Sequence, residues 1–199
     1  MRYYFRVCFF FLLIIATSLS CIYSQTSTID SINGLIDASG KQKKVALYNA
    51  LSVAYQDAGD IQRSIAASKK ALQIAQKNNY TEGEASAYLR LGSIYLSNQE
   101  ITKARENLKQ SLERYKQSNV ENNLAEVYRK LGKTNYKLGK YKQSRDYYKR
   151  SIDLLENEAD NSQLAELYNM MGVNLKLLDD YQEAFSFHQK ALQVFRQKG

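Results

Sequence analysis

The chain has 199 residues, 44% hydrophobic and 24% charged, and its 28 Lys or Arg against 20 Asp or Glu give a net charge of +8. This balance is that of a folded protein and excludes disorder as the default, while the single histidine, His188, excludes a histidine metal cluster. The absence of proline, the small number of glycines and the abundance of Ala, Leu, Lys, Glu and Gln favour helix, and no segment alternates as a strand does.

The first element in chain order is a leader. Arg2 and Arg6 flank the start of an apolar run from Val7 to Ala16, and small residues follow at Ser18, Ser20 and Ser24. These are the three parts of a secretory signal peptide over residues 1–24. The run is shorter than the about 20 apolar residues of a spanning helix. Cleavage after Ser24 leaves Gln25 as the new terminus, whereas Leu19-Ser20-Cys21 partly resembles a lipobox and offers a lipid anchor instead. The expected location is therefore exported, periplasmic or secreted, with membrane attachment through a lipid anchor, an uncleaved leader or a continuation beyond Gly199 as the alternatives. Both cysteines, Cys8 and Cys21, belong to the leader. A product without them suits an oxidising compartment and has no thiolate ligand or nucleophile.

Residues 25–44 read as an N-terminal capping helix and linker, with Ile29, Ile32, Leu35 and Ile36 as one apolar stripe ahead of Ser39-Gly40. A stack of helical repeats needs such a cover, because each unit buries its surface only against its neighbours.

From Val45 the chain repeats itself every 40 residues. One column is Tyr48, Tyr88, Tyr128 and Tyr168; one helical turn on come Leu51, Leu91, Leu131 and Met171, followed at once by Ser52, Gly92, Gly132 and Gly172. The second half of each unit carries Ile61, Ile101, Tyr141 and Tyr181, then Ser64, Ala104, Ser144 and Ala184, then Ala71, Ser111, Ser151 and Ala191, with Leu72, Leu112, Ile152 and Leu192 behind them. Small residues opposite the glycine column let two helices approach closely. Ala58-Gly59-Asp60, Asn98-Gln99-Glu100, Leu138-Gly139-Lys140 and Leu178-Asp179-Asp180 break each unit into a helix pair. The Asp179-Asp180 pair is expected to cap the following helix, and Thr81 with Glu84 has the spacing of a capping box. The reading is thus eight helices in four units, 45–84, 85–124, 125–164 and 165–199. The last helix carries Phe185, Phe187, Leu192, Val194 and Phe195 with no polar helix after them, so its outer face is expected to meet a partner, a second copy or further chain.

Catalytic chemistry has no candidate here. His188 shares a column with Ser68, Leu108 and Tyr148, which is a packing position, and no Gly-rich phosphate loop, Ser-His-Asp order or paired-carboxylate motif occurs. Of the sixteen tyrosines, Tyr48, Tyr88, Tyr128 and Tyr168 occupy one helix-packing column, which fits packing better than a stacking surface for sugars or nucleic acid, with one or two others expected to reach an open groove. Residues 121–150 hold nine Lys or Arg against three Asp or Glu, and residues 151–199 hold four against eight. Lys142, Arg145, Lys149 and Arg150 fit a solvated outer face.

The order aromatic, Leu-Gly, turn, small, small-large resembles the tetratricopeptide repeat, from Val45 to Gly199. The chain departs from it in having tyrosine for the usual tryptophan, in having Gln76, Lys116, Glu156 and Arg196 where a closing proline is usual, and in a period longer than the common one of about 34. The resemblance implies an all-α, right-handed α-solenoid of antiparallel helix pairs that binds a protein or peptide without cofactor, metal or catalysis. It also implies that the first helix of each pair lines the concave side. The stripe on that side is Asn49, Val53 and Gln56; Leu89, Ser93 and Leu96; Arg129, Lys133 and Tyr136; and Asn169, Val173 and Lys176. Its basic station at Arg129 and Lys133, with Lys137 as a further member, suits an acidic segment of a partner, and export argues against nucleic acid. The leader, the helix around Asp30-Ser31-Ile32-Asn33-Gly34-Leu35 and the 40-residue units also resemble the extracytoplasmic part of bacterial sensor histidine kinases.

Overall fold

A computed structural model describes residues 27–121, 123–156 and 162–196; the leader and its cleavage point lie outside them. Helix α1 spans 27–37. It is followed by α2 (Lys41–Asp57), α3 (Ile61–Lys77), α4 (Thr81–Ser97), α5 (Ile101–Ser118), α6 (Leu124–Lys137), α7 (Tyr141–Leu155), α8 (Ser162–Lys176) and α9 (Tyr181–Arg196). Among the described residues there is no strand, and no helix is long and apolar enough to cross a membrane. The chain forms two compact units, one ending at Asn78 and the other starting at Asn79. Helices α2 and α3 pair in the first, and α4 with α5, α6 with α7 and α8 with α9 in the second, where α5 also packs on α6 and α7 on α8.

Every pair turns in the same way. Residues 59, 99, 139 and 179 are left-handed, with φ of 78°, 64°, 69° and 63°. The next N–H in each case reaches back five residues: Asp60 to Tyr55 at 2.8 Å, Glu100 to Tyr95 at 2.9 Å, Lys140 to Asn135 at 2.9 Å and Asp180 to Leu175 at 3.1 Å. This is the Schellman closure, which satisfies the last carbonyls of the first helix while reversing the chain. Glycine enters the left-handed region freely at 59 and 139; Gln99 and Asp179 do so at a cost of roughly 1 kcal/mol each. As expected, Asp180 caps α9, accepting the Glu183 N–H at 3.3 Å, and Asp60 does the same for α3 through the Arg63 N–H at 3.0 Å.

The capping box at Thr81 does not form. Tyr80 is the N-cap residue of α4 and no side chain caps that end. Thr81 is already helical, and Glu84 is drawn sideways into an ion pair with Arg114 at 3.1 Å. The first helix of the first pair also begins at Lys41, four residues ahead of the expected Val45, because Gly40 supplies the extended N-cap conformation.

Contacts across each pair run antiparallel. In the second unit Ser111 Oγ donates to the Ala85 carbonyl at 2.8 Å, Ser151 Oγ to that of Ala125 at 2.7 Å and Ser144 Oγ to that of Gly132 at 2.9 Å. The small columns therefore lie on the backbone of the first helix, and their hydroxyls are satisfied there. The bulk sits one turn away. A methyl built on Gly92 would lie 2.6 Å from Leu108 Cγ, one on Gly132 2.5 Å from Tyr148 Cδ1, and one on Gly172 2.7 Å from His188 Nε2. His188 is thus a packing residue that its glycine admits. The first pair solves the same contact differently: Ser52 replaces the glycine, Ser68 replaces the bulky residue, and the two hydroxyls bond at 2.8 Å with Ser64 alongside.

In the second unit apolar clusters join neighbouring helix pairs. Leu108 and Tyr115 of α5 meet Val127 and Leu131 of α6, and Tyr148, Ile152 and Leu155 of α7 meet Leu167, Tyr168, Met171 and Leu175 of α8. Tyr128 and Tyr168 are buried members of the tyrosine column, while Tyr48 and Tyr88 are half-buried.

Helix α1 lays Ile29, Ile32 and Ile36 on Leu47, Tyr48, Leu51, Tyr55 and Ala67. Leu35 is not part of that stripe and is 49% exposed, because positions 29, 32 and 36 follow one helix face and 35 points off it. Ile36→Ala should therefore destabilise the first unit by about 2–4 kcal/mol, whereas Leu35→Gln should stay within about 0.5 kcal/mol of wild type. Urea unfolding of the two variants measures the difference.

Candidate functional site

Helix α6 is amphipathic. Val127, Tyr128, Leu131, Thr134 and Asn135 are buried, which leaves Lys133, Tyr136 and Lys137, three and four residues apart, on another face. Helix α8 buries Ala165, Leu167, Tyr168, Met171, Asn174 and Leu175, and leaves Asn169 and Val173 exposed and Met170 half-buried. Between these two faces lies a cavity of about 230 Å³ lined by Lys133, Tyr136, Lys137, Asn169, Met170 and Val173, with Tyr148 of α7 also on its wall. Tyr148 reaches that wall because Gly132 leaves room for its ring. Burial pushes the Tyr148 phenol far above its ordinary range, so it presents a neutral hydroxyl.

Four of the twelve stripe residues meet here: Lys133, Tyr136, Asn169 and Val173. Leu89 and Ser93 are half-buried on α4, and the Ser93 hydroxyl donates to the Leu89 carbonyl at 2.8 Å. Lys176 is exposed on α8 outside the cavity, and in the first unit Asn49, Val53 and Gln56 share one face of α2, Val53 being 39% exposed. Leu96 leaves the stripe altogether, being 8% exposed. Its repeat equivalents Gln56 and Tyr136 are half-buried and Lys176 is exposed, whereas the aliphatic side chain gains by turning inward.

Arg129 also departs from expectation. Its Nε and an Nη donate to both oxygens of Glu126 at 2.7 and 2.8 Å, and Glu166 lies 3.8 Å away. Lys130 shares the same carboxylate at 3.0 Å. Burial works to raise the Glu126 carboxyl, but the Arg129 hydrogen bond and the neighbouring cations outweigh it and hold it below its ordinary range. Arg129 is therefore held in ion pairs with Glu126 and Glu166. Lys133 and Lys137 form no ion pair among the described residues, and Lys137 touches only the Gln99 amide at 3.5 Å. The basic station is Lys133 with Lys137. Met170 and Tyr148 were missed from sequence: Met170 because the groove-facing arc of α8 is wider than the assumed stripe, and Tyr148 because it sits in a packing column.

A second cavity, of about 430 Å³, lies on α7 and α9 among Arg145, Asp146, Lys149, Asp153, Glu183 and Lys190. Its charges are of both signs, and Arg145 already pairs with Asp146 at 3.3 Å.

Residues 43–117 and 123–197 match the family model for the tetratricopeptide repeat. The chain belongs to the tetratricopeptide repeat family. No curated protein matches its sequence. Among solved structures, BtubC (BKLC) from P. vanneervenii superposes with a TM-score of 0.73 at 18% identity, over 80% of this chain and 66% of that one. MamA superposes with a TM-score of 0.63 at 20% identity, over 85% of this chain and 88% of its own. At such identities the likeness is one of fold, and it agrees with the consecutive tetratricopeptide helix pairs described above.

Proposed function

We propose that this tetratricopeptide repeat chain is a non-catalytic interaction module whose groove between α6 and α8 takes a peptide segment of a partner protein. The observation that carries this is the α6–α8 cavity itself: an apolar seat made by Tyr136, Met170, Val173 and Tyr148, with Lys133 and Lys137 at its edge. Such a site fits one hydrophobic side chain flanked by carboxylates, because the seat rewards apolar burial and the two lysines reward negative charge. Tetratricopeptide repeats typically bind proteins or peptides, which supports the reading at the level of the family. Arg2, Arg6 and the apolar run behind them support action outside the cytoplasm. The same groove would serve a free-standing scaffold or the sensory input half of a signalling protein.

A fluorescein-labelled peptide with one Phe between glutamates is the probe. It should bind, a version with lysines in place of the glutamates should not, and affinity should fall as salt rises. Lys133→Glu with Lys137→Glu should weaken binding about tenfold or more, since about 1.4 kcal/mol is a decade in affinity. Lys142→Glu with Lys149→Glu, on the outer face of α7, should change it little. Equal binding of both peptides, or a loss confined to the α7 pair, would sink the groove reading.

A further inference from the structure

We propose that the cavity between α7 and α9 binds a free α-amino acid with an apolar side chain, taking its carboxylate on Lys190 and its ammonium on Glu156. This cavity shares no lining residue with the α6–α8 groove.

Helix α7 brings Lys149, Ile152, Asp153 and Glu156 to one wall, at the spacing of a single helix face, and α9 brings Glu183, Phe187 and Lys190 to the other. Ile152 and Met171 are buried and Phe187 is half-buried, so the floor is apolar and the rim is charged. The volume of about 430 Å³ falls within the range of small-molecule sites.

Tyr168 of α8, 6% exposed, holds one charge of each sign. Its hydroxyl donates to Glu156 Oε1 at 2.9 Å, and the Lys190 Nζ stands 5.4 Å from its ring centroid and 5.1 Å from that of Phe187. The cation is thus ordered by two aromatic faces and the carboxylate by a phenol. Glu156 and Lys190 are fastened to the same side chain and form no ion pair with each other. Lys149 and Asp153 do not pair across α7 either, base before acid being the order in which helical pairs close poorly.

The preceding interface separates packing from ligand recognition. There the Tyr147 ring lies 6.2 Å from that of Tyr128 and the Arg150 guanidinium stands 5.7 Å over it. Tyrosine, second aromatic and cation therefore recur as a packing unit. What does not recur is the acid: Lys116 stands where α7 has Glu156. Between α7 and α9 the tyrosine holds opposite charges beside an apolar floor, and a ligand that answers all three carries an ammonium, a carboxylate and an apolar group within one residue. An internal residue of a peptide has neither charge on its backbone. A free amino acid has both, and it meets groups that are already ordered, which lowers the cost of binding.

Titration calorimetry on the full chain, with L-phenylalanine as the probe, tests this. L-phenylalanine should saturate one site. N-acetyl-L-phenylalanine, which lacks the ammonium, and L-phenylalaninamide, which lacks the carboxylate, should each bind about tenfold or more weakly, and glycine should lose affinity for want of a side chain. Glu156→Gln keeps an oxygen for the Tyr168 hydroxyl; it should weaken L-phenylalanine and leave the N-acetyl form unchanged. Lys190→Met should weaken L-phenylalanine and leave the amide unchanged. Circular dichroism checks that both variants fold, and the comparison of ligands on wild type needs no variant. Lys133→Glu with Lys137→Glu should leave amino-acid binding intact, whatever those changes do to peptide binding in the groove. No saturation by L-phenylalanine at millimolar concentrations, equal binding of the blocked forms, or variants that weaken every ligand alike would overturn the proposal.

Discussion

Gly132→Val should lower the melting temperature by about 2–12 °C. A Cβ at this position meets Cδ1 and Cε1 of Tyr148 at 2.5 Å, and valine adds two methyls beyond it. The ring cannot swing aside freely, because Tyr148 is 2% exposed and packed in the cluster with Ile152, Leu155, Leu167 and Met171. Overpacking of a filled site costs about 1–3 kcal/mol and occasionally more; for a chain of this size each kcal/mol is about 2–4 °C. Tyr148→Ala alone should cost about 3–5 kcal/mol through the void it leaves. The double variant should cost clearly less than the two together, since each change relieves the other. Gly34→Ala is the control: nothing lies within 4 Å of its Cβ position, so the gain in helix propensity should leave stability unchanged or slightly raised. Additive losses in the double variant would mean that the two positions do not share one space.

Alkaline titration should show two populations of tyrosine, the second appearing only as helicity is lost. Tyr115 is 1% exposed, and burial pushes its phenol up to about 12. Tyr168 is pushed up to about 12 by burial and by its hydrogen bond to Glu156 at 2.9 Å. Tyr148 is raised further still. A value raised in the folded state means that the unfolded chain releases its proton first. Stability from these groups is therefore complete below about pH 10 and is lost as the pH climbs through about 12. Phenolate absorbance followed with far-ultraviolet circular dichroism should show Tyr115, Tyr148 and Tyr168 ionising only together with unfolding. Tyr115→Phe should remove one delayed tyrosine and move the alkaline midpoint upward. Ionisation of all sixteen tyrosines before any loss of helicity would contradict this.

The sequence columns gave the helix pairs, their turns and the small-on-backbone contacts directly, because a spacing of 40 marks residues that do the same geometric work. Repetition does not reveal how one side chain settles among its actual neighbours. Leu35 differs from Ile36 by a single step around a helix, and only the position of α1 on Tyr48 and Leu51 decides that one packs and the other is wet. Thr81 and Glu84 have the spacing of a cap, yet Glu84 finds Arg114 on another helix. In the groove, α6 and α8 could be recognised as its walls and Lys133 and Lys137 as its cations, but not that Glu126 and Glu166 would hold Arg129 in ion pairs. Such pairings depend on three-dimensional reach between residues whose charges alone are visible in the sequence.

The hydroxyl contact of the first pair bears on how near-copies avoid trading partners. Helices α4, α6 and α8 each present a glycine to a bulky residue on the next helix, so a mistaken exchange of second helices among them would still find an open notch. Helix α2 has no notch: Ser52 would strike a leucine, tyrosine or imidazole, and Ser68 set over a glycine would leave a gap and lose its hydroxyl partner. Such exchange is a characteristic failure of repeat proteins. The Ser52–Ser68 contact works as a key cut for one lock, fixing the starting register of the array and leaving swapped arrangements that involve α2 or α3 energetically marked as errors.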